Sequence, residues 1–199
     1  MSLNRIAIPA LLLTWLAAVS AGFAVLLRYK TNPGEAERPP VLWPRESRLQ
    51  GPSGRQATLV LFAHPQCPCT HASVSELARL MSSVSEQLTA QVVIVRPSGV
   101  AEKWDDTELL RRAATVPRVA VIRDEGGAEA LRFRALASGL VLLYDGQGRL
   151  RFAGGITSSR GHEGDSFGRR RILAVLAGAS ADREDAPVFG CALGIKEDS

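Results

Sequence analysis

From Ile6 to Leu27 the chain runs for 22 residues without a charged side chain. A helix rising about 1.5 Å per residue would carry that run roughly 33 Å, close to the roughly 30 Å hydrocarbon core of a bilayer. The run is expected to be a transmembrane helix over 6–27, with 1–5 as a short amino-terminal segment. A cleaved signal peptide is the competing reading, with Val19-Ser20-Ala21 as its cleavage site. Gly22 to Leu27 continue the apolar character past that point and favour a retained anchor. Arg5 with the terminal amine on one flank nearly balances Arg28 and Lys30 on the other, so flanking charge does not set the orientation.

The rest of the 199 residues suffices for one domain and not two. The overall composition, 46% hydrophobic and 22% charged with three Cys, excludes a disordered chain or a disulfide-packed miniprotein. The formal charge of +4 looks basic, but once Arg5, Arg28 and Lys30 are set aside 21 basic side chains face 20 acidic ones. Nucleic acid is excluded as an expected partner on that balance. Residues 28–56 hold Pro33, Pro39, Pro40, Pro44 and Pro52, which predict a partly extended linker without regular structure. The domain proper is expected over 57–179, with a tail over 180–199.

Ala57 to Ala63 is a short apolar run of strand length that leads into His64-Pro65-Gln66-Cys67-Pro68-Cys69-Thr70. Val74, Leu77, Met81, Val84 and Leu88 then recur at helical spacing, and Gln91 to Arg96 reads as a second buried strand. The opening is thus a βαβ unit. A short helix capped by Asp105 or Asp106, a strand over 118–123 and a helix over 128–136 are expected next. Leu140 to Tyr144 and Arg149 to Ala153 flank Asp145-Gly146-Gln147-Gly148, a hairpin pattern, and a last helix begins near Asp165 or Ser166.

Cys67 stands just before a predicted helix, where unpaired N–H groups and the helix dipole favour a thiolate. Pro68 suits a first helical turn, Thr70 offers a capping hydroxyl, and a protonated His64 would lower the thiol pKa further. A Cys67–Cys69 bridge would need the chain to bend sharply within one intervening residue, and strained disulfides are easily reduced. Redox work is favoured, against a metal pair or inert thiols. Cys191 makes the count odd; it lies in the apolar patch Ala186 to Leu193, so the tail is expected to dock on the domain. A buried packing role for Cys191 is preferred to a resolving thiol or a third metal ligand.

This order of elements, with cysteines at the end of the first strand, resembles the thioredoxin-like superfamily over about 57–179. The layout is similar to that of membrane-tethered TlpA and ResA proteins. The phrases Gly154 to Gly164 and Pro187-Val188-Phe189-Gly190-Cys191 also resemble a small bacterial group called RedB. The resemblance implies an α/β three-layer sandwich with a central mixed sheet, preceded by the membrane helix. It implies a single-pass protein whose soluble domain is periplasmic or otherwise extracytoplasmic, with protein thiols and disulfides as partners.

In that family the hairpin's open end lies beside the cysteines, which brings Arg160 and His162 into consideration; Arg160 reads as a surface charge, and His162 as a proton carrier, metal ligand or thiolate partner, or else as a solvated loop histidine bonded to Glu163. Two departures stand out. The chain has one residue between its cysteines where the family has two, and Ser138-Gly139 where the family has a cis-proline. The expected function is a thiol-disulfide oxidoreductase in which Cys67 attacks and Cys69 resolves, with no cofactor required. The alternative is a copper-binding or delivery protein similar to the Sco family, with Cys67, Cys69 and His162 as ligands. A noncatalytic module on the same fold is the third reading.

Overall fold

The computed structural model describes residues 3–54, 56–84, 87–178 and 184–195. It comprises two compact units, Met1–Asn32 and Pro33–Ser199. The first is a single helix, α1 (Leu3–Thr31), longer at both ends than the uncharged run. Its stretch Ala7–Thr31 has a mean hydropathy of 2.2 and no buried residue, so it is long and apolar enough to cross a bilayer. Thr14 and Thr31 donate their hydroxyls to the Ala10 and Leu27 carbonyls at 2.9 Å, which masks two polar groups within the helix itself.

The second unit is built on a six-stranded mixed sheet in the order β3-β2-β1-β4-β5-β6. Strand β1 (Ala57–Ala63) leads into α2 (Pro68–Ser83) and then β2 (Leu88–Arg96), which lies parallel to β1. Helix α3 (Glu108–Ala114) precedes β3 (Val119–Glu125), parallel to β2. After α4 (Ala128–Arg132), β4 (Val141–Tyr144) and β5 (Leu150–Gly154) form the hairpin, with β4 antiparallel to β1. Helix α5 (Phe167–Leu176) and the two-residue β6 (Glu184–Asp185), parallel to β5, complete the order.

Every residue of β1 is buried, and alternation decides which layer each side chain joins. Leu59, Leu61 and Ala63 enter one core with Leu77 and Ile172 from α2 and α5. Val60 and Phe62 enter the other, with Phe133 and tail residues Val188 and Leu193. Two covered faces explain why the central strands read as continuous apolar runs instead of alternating ones. The expected three-layer thioredoxin-like sandwich is the architecture found.

Several boundaries differ from the sequence reading. Helix α2 ends at Ser83, and Leu88, which fits the helical spacing, instead opens β2. Thr107 and not Asp105 or Asp106 precedes α3, because Asp105 is fully buried and paired with Arg123 at 2.6 Å. Helix α4 stops at Arg132, short of 136. Ser166 caps α5 by accepting from the Arg169 N–H.

The predicted linker is the largest difference. Beyond Thr31 its described residues form no regular helix or strand, yet much of it packs on the sheet. The Trp43 ring meets Phe133 and Tyr144 edge-on, each at 5.1 Å, and Leu49 is buried. The Tyr144 hydroxyl donates to the Pro40 carbonyl at 2.9 Å, and Gln50 and Gln91 exchange hydrogen bonds at 2.9 and 2.8 Å. The prolines forbid a regular element but leave scattered apolar side chains able to cover a sheet face.

Candidate active site

Strand β1 runs out at Ala63, and the next four residues turn the chain into α2. Cys67 is the residue before the helix, with extended backbone, and Pro68 occupies the first helical turn, where its missing N–H costs nothing. Thr70 does not cap the helix. Its hydroxyl instead lies 2.6 Å from the Ser138 hydroxyl, which also accepts the His64 N–H at 2.8 Å. Ser138, at the open end of the hairpin, thus ties the cysteine loop to the sheet.

The tail forms the opposite wall. The Ser138 N–H donates to the Cys191 carbonyl and the Leu193 N–H to the Leu136 carbonyl, both at 2.8 Å, around an antiparallel bridge between Ala137 and Ala192. A Cβ on Gly190 would lie 1.6 Å from the Ser138 carbonyl oxygen, so only glycine lets the strands approach this closely. This docking brings the Cys191 Sγ to 2.9 Å from the Cys67 Sγ. The packing role preferred for Cys191 is therefore incomplete: its side chain makes a direct contact with the loop cysteine.

Cys67 and Cys69 are buried and Cys191 is half-buried. The three sulfurs lie within 4.8 Å of one another, and among the described residues neither His64 nor His162 joins the group. Burial works against a Cys67 thiolate, but hydrogen bonds from the Cys191 thiol and the Thr70 hydroxyl, with backbone bonds at Cys191 and Cys69, outweigh it and bring the thiol below its ordinary value. Burial, the hydrogen bond to Cys67 and the negative charge developing there push Cys191 up to about 12. Of the two, Cys67 is therefore the first to give up its proton. Cys69 is raised by burial and by the Cys67 charge, while Arg160 pulls it part of the way back.

Arg160 is half-buried and donates to the Gly190 carbonyl at 2.6 Å, so the residue read as a surface charge braces the tail beside the sulfurs. His162 is exposed. Glu163, considered as its partner, accepts from Arg79 at 2.9 Å instead. His64 stacks edge-on against Trp104 at 5.5 Å, its Nδ1 accepts the Gln66 N–H at 3.2 Å, and burial lowers its pKa. Burial thus works against the protonated form through which His64 was expected to act on the thiol. The sequence reading overlooked Ser138 as a hydrogen-bonding hub; its only local signal was its position at the hairpin's open end.

No protein-family model matches the chain, and no curated protein matches it. Among solved structures, a conserved protein of Geobacillus kaustophilus is 20% identical with a TM-score of 0.59, over 85% of this chain and 94% of that one. A hypothetical protein of Sinorhizobium meliloti 1021 gives 20% identity and 0.59, over 84% of this chain and 99% of that one. A secreted Mycobacterium tuberculosis disulfide oxidoreductase, homologous to E. coli DsbE, is 12% identical with a TM-score of 0.44, over 62% of this chain and 81% of that one. By strand order and the placement of its helices, with the thiols at the β1–α2 junction, the chain has the thioredoxin-like fold.

Proposed function

We propose that this protein is a membrane-anchored thiol-disulfide oxidoreductase in which Cys67 is the reactive thiolate. The observation that carries the reading is the placement of Cys67 at the head of α2 with a second thiol 2.9 Å from its sulfur. A thiolate is the nucleophile of disulfide exchange, and the contacts around Cys67 favour it. Protein thiols and disulfides are the partners, and α1, kept after synthesis, holds the domain at the outer face of a bacterial membrane. Redox titration of the full chain in detergent tests the proposal. A reversible two-electron couple that disappears in Cys67→Ser supports it; no couple across the range of biological thiols defeats it.

A second reading is a soft-metal site of the copper type, favoured by three convergent sulfurs within 4.8 Å. Thiolates select Cu(I), and Cys191 would stand where His162 was expected as third ligand. Stoichiometric Cu(I) binding that survives His162→Ala and is lost in Cys191→Ser supports this set. Absence of binding ends it.

A further inference from the structure

The expected redox pair is Cys67 with Cys69, two positions apart. The arrangement of the sulfurs points elsewhere. Cys69 already belongs to the first turn of α2, so drawing its sulfur onto Cys67 would distort the helix start. Cys191 comes from a separate segment and needs no such bend. Its sulfur is already 2.9 Å from that of Cys67, nearer than two sulfurs rest without a hydrogen bond or a covalent bond between them.

The tail is also built to present it. Backbone bonds at Cys191 and Leu193 hold the segment against residues 136–138, Val188 and Leu193 are buried to either side of the cysteine, and Arg160 fixes the Gly190 carbonyl. Exposure divides the roles further: Cys67 is 2% exposed, whereas Cys191 is half-buried.

Resting on the oxidoreductase reading, we propose that the working disulfide joins Cys67 to Cys191, and that Cys191 is the sulfur a partner dithiol meets. A partner thiolate attacks the Cys191 sulfur, the Cys67–Cys191 bond breaks, and its electron pair leaves on Cys67. The partner's second thiolate then attacks its own sulfur in the mixed disulfide, and Cys191 departs and takes up a proton. The partner is oxidised to its disulfide, its two thiol protons go to Cys191 and to Cys67 or solvent, and the protein is reduced by two electrons. A second disulfide, from a protein or a small thiol compound, restores the bridge and is reduced to two thiols. A stabilised Cys67 thiolate makes the better leaving group and the more oxidising couple.

The test uses the full chain in detergent, equilibrated with oxidised glutathione, quenched with acid and N-ethylmaleimide, and digested with trypsin. In most of the oxidised protein, the peptide holding Cys67 and Cys69 should be joined to the peptide holding Cys191. That cross-link should persist in Cys69→Ser and vanish in Cys67→Ser. A Cys67–Cys69 bridge as the main product, or a cross-link that survives Cys67→Ser, overturns the proposal. In glutathione buffers the two-electron couple should remain in Cys69→Ser and be lost in Cys191→Ser. A couple unchanged in Cys191→Ser overturns the Cys191 assignment alone, whereas no couple in the unmutated chain defeats the oxidoreductase reading with it.

Discussion

Gly190 approaches the Ser138 backbone so closely that a methyl group on it would fall 1.6 Å from the Ser138 carbonyl oxygen. Ser138 has rigid backbone on one side and the cysteine loop on the other, so the tail has to yield. Gly190→Ala is expected to lift the tail at a cost of about 1–3 kcal/mol, the usual range for overpacking. Bridge closure between Cys67 and Cys191 should slow by roughly 5- to 150-fold on that range, and alkylation of Cys67 should accelerate as its cover is lost. Trapping rates for both cysteines measure this; unchanged rates would show that the contact does not hold the tail.

Removing the donors around Cys67 should raise its pKa. The Cys191 thiol and Thr70 hydroxyl oppose the effect of burial, and burial remains when either is removed. Cys191→Ala and Thr70→Val are each expected to shift the thiolate absorbance transition to higher pH, Cys191→Ala the more.

The same groups fix the sign of the pH dependence of stability in the reduced protein. Cys67, lowered by folding, contributes stability above its unfolded value near 9.0, lost as pH falls through its folded value. Cys191, raised by folding, contributes below that value, and its contribution disappears as pH rises through about 12. Comparing denaturant midpoints of Cys67→Ser and Cys191→Ser across pH separates the two.

Glu76 is fully buried on α2, receives the Gly164 N–H at 2.7 Å, and pairs with Arg79 and with Arg169, the latter at 3.2 Å. It anchors the loop that carries Arg160 and His162. Glu76→Ala should destabilise the domain by about 2 kcal/mol, less than the roughly 3–5 kcal/mol for a fully buried pair, because both arginines reach water. Urea unfolding gives the value, and no loss would show that the network is dispensable.

The anchor reading predicts that protein recovered from cells keeps α1 and sediments with membranes. An amino terminus directly after Ala21 would identify a signal sequence instead.

Local pattern located what local chemistry determines. The apolar runs of β1 and β2, the Asp145–Gly148 turn and the start of α2 at Pro68 were readable because each element carries its own periodicity or turn residue. Leu88 was misplaced because a helix face and a buried strand both accept a leucine. Asp105 was taken for a cap, yet it answers Arg123 from β3, a long-range pairing that spacing does not reveal. The packed segment around Trp43 was missed for the same reason: its contacts lie 90 to 101 positions away, at Phe133 and Tyr144. At the site, the cysteine loop was visible and the docking of the tail was expected. A thiol delivered to Cys67 was weighed and passed over for a packing role, since nothing near Cys191 in the chain points to Cys67.

Those two cysteines stand 124 positions apart. A covalent link between them would cinch most of the folded unit into one closed ring and deny the unfolded chain much of its freedom, a gain of roughly 4–5 kcal/mol in the chain-entropy account. Electron transfer at this site would then double as mechanical reinforcement. The oxidised protein should melt hotter than the reduced one, and each opening of the bridge should briefly loosen the molecule that holds it.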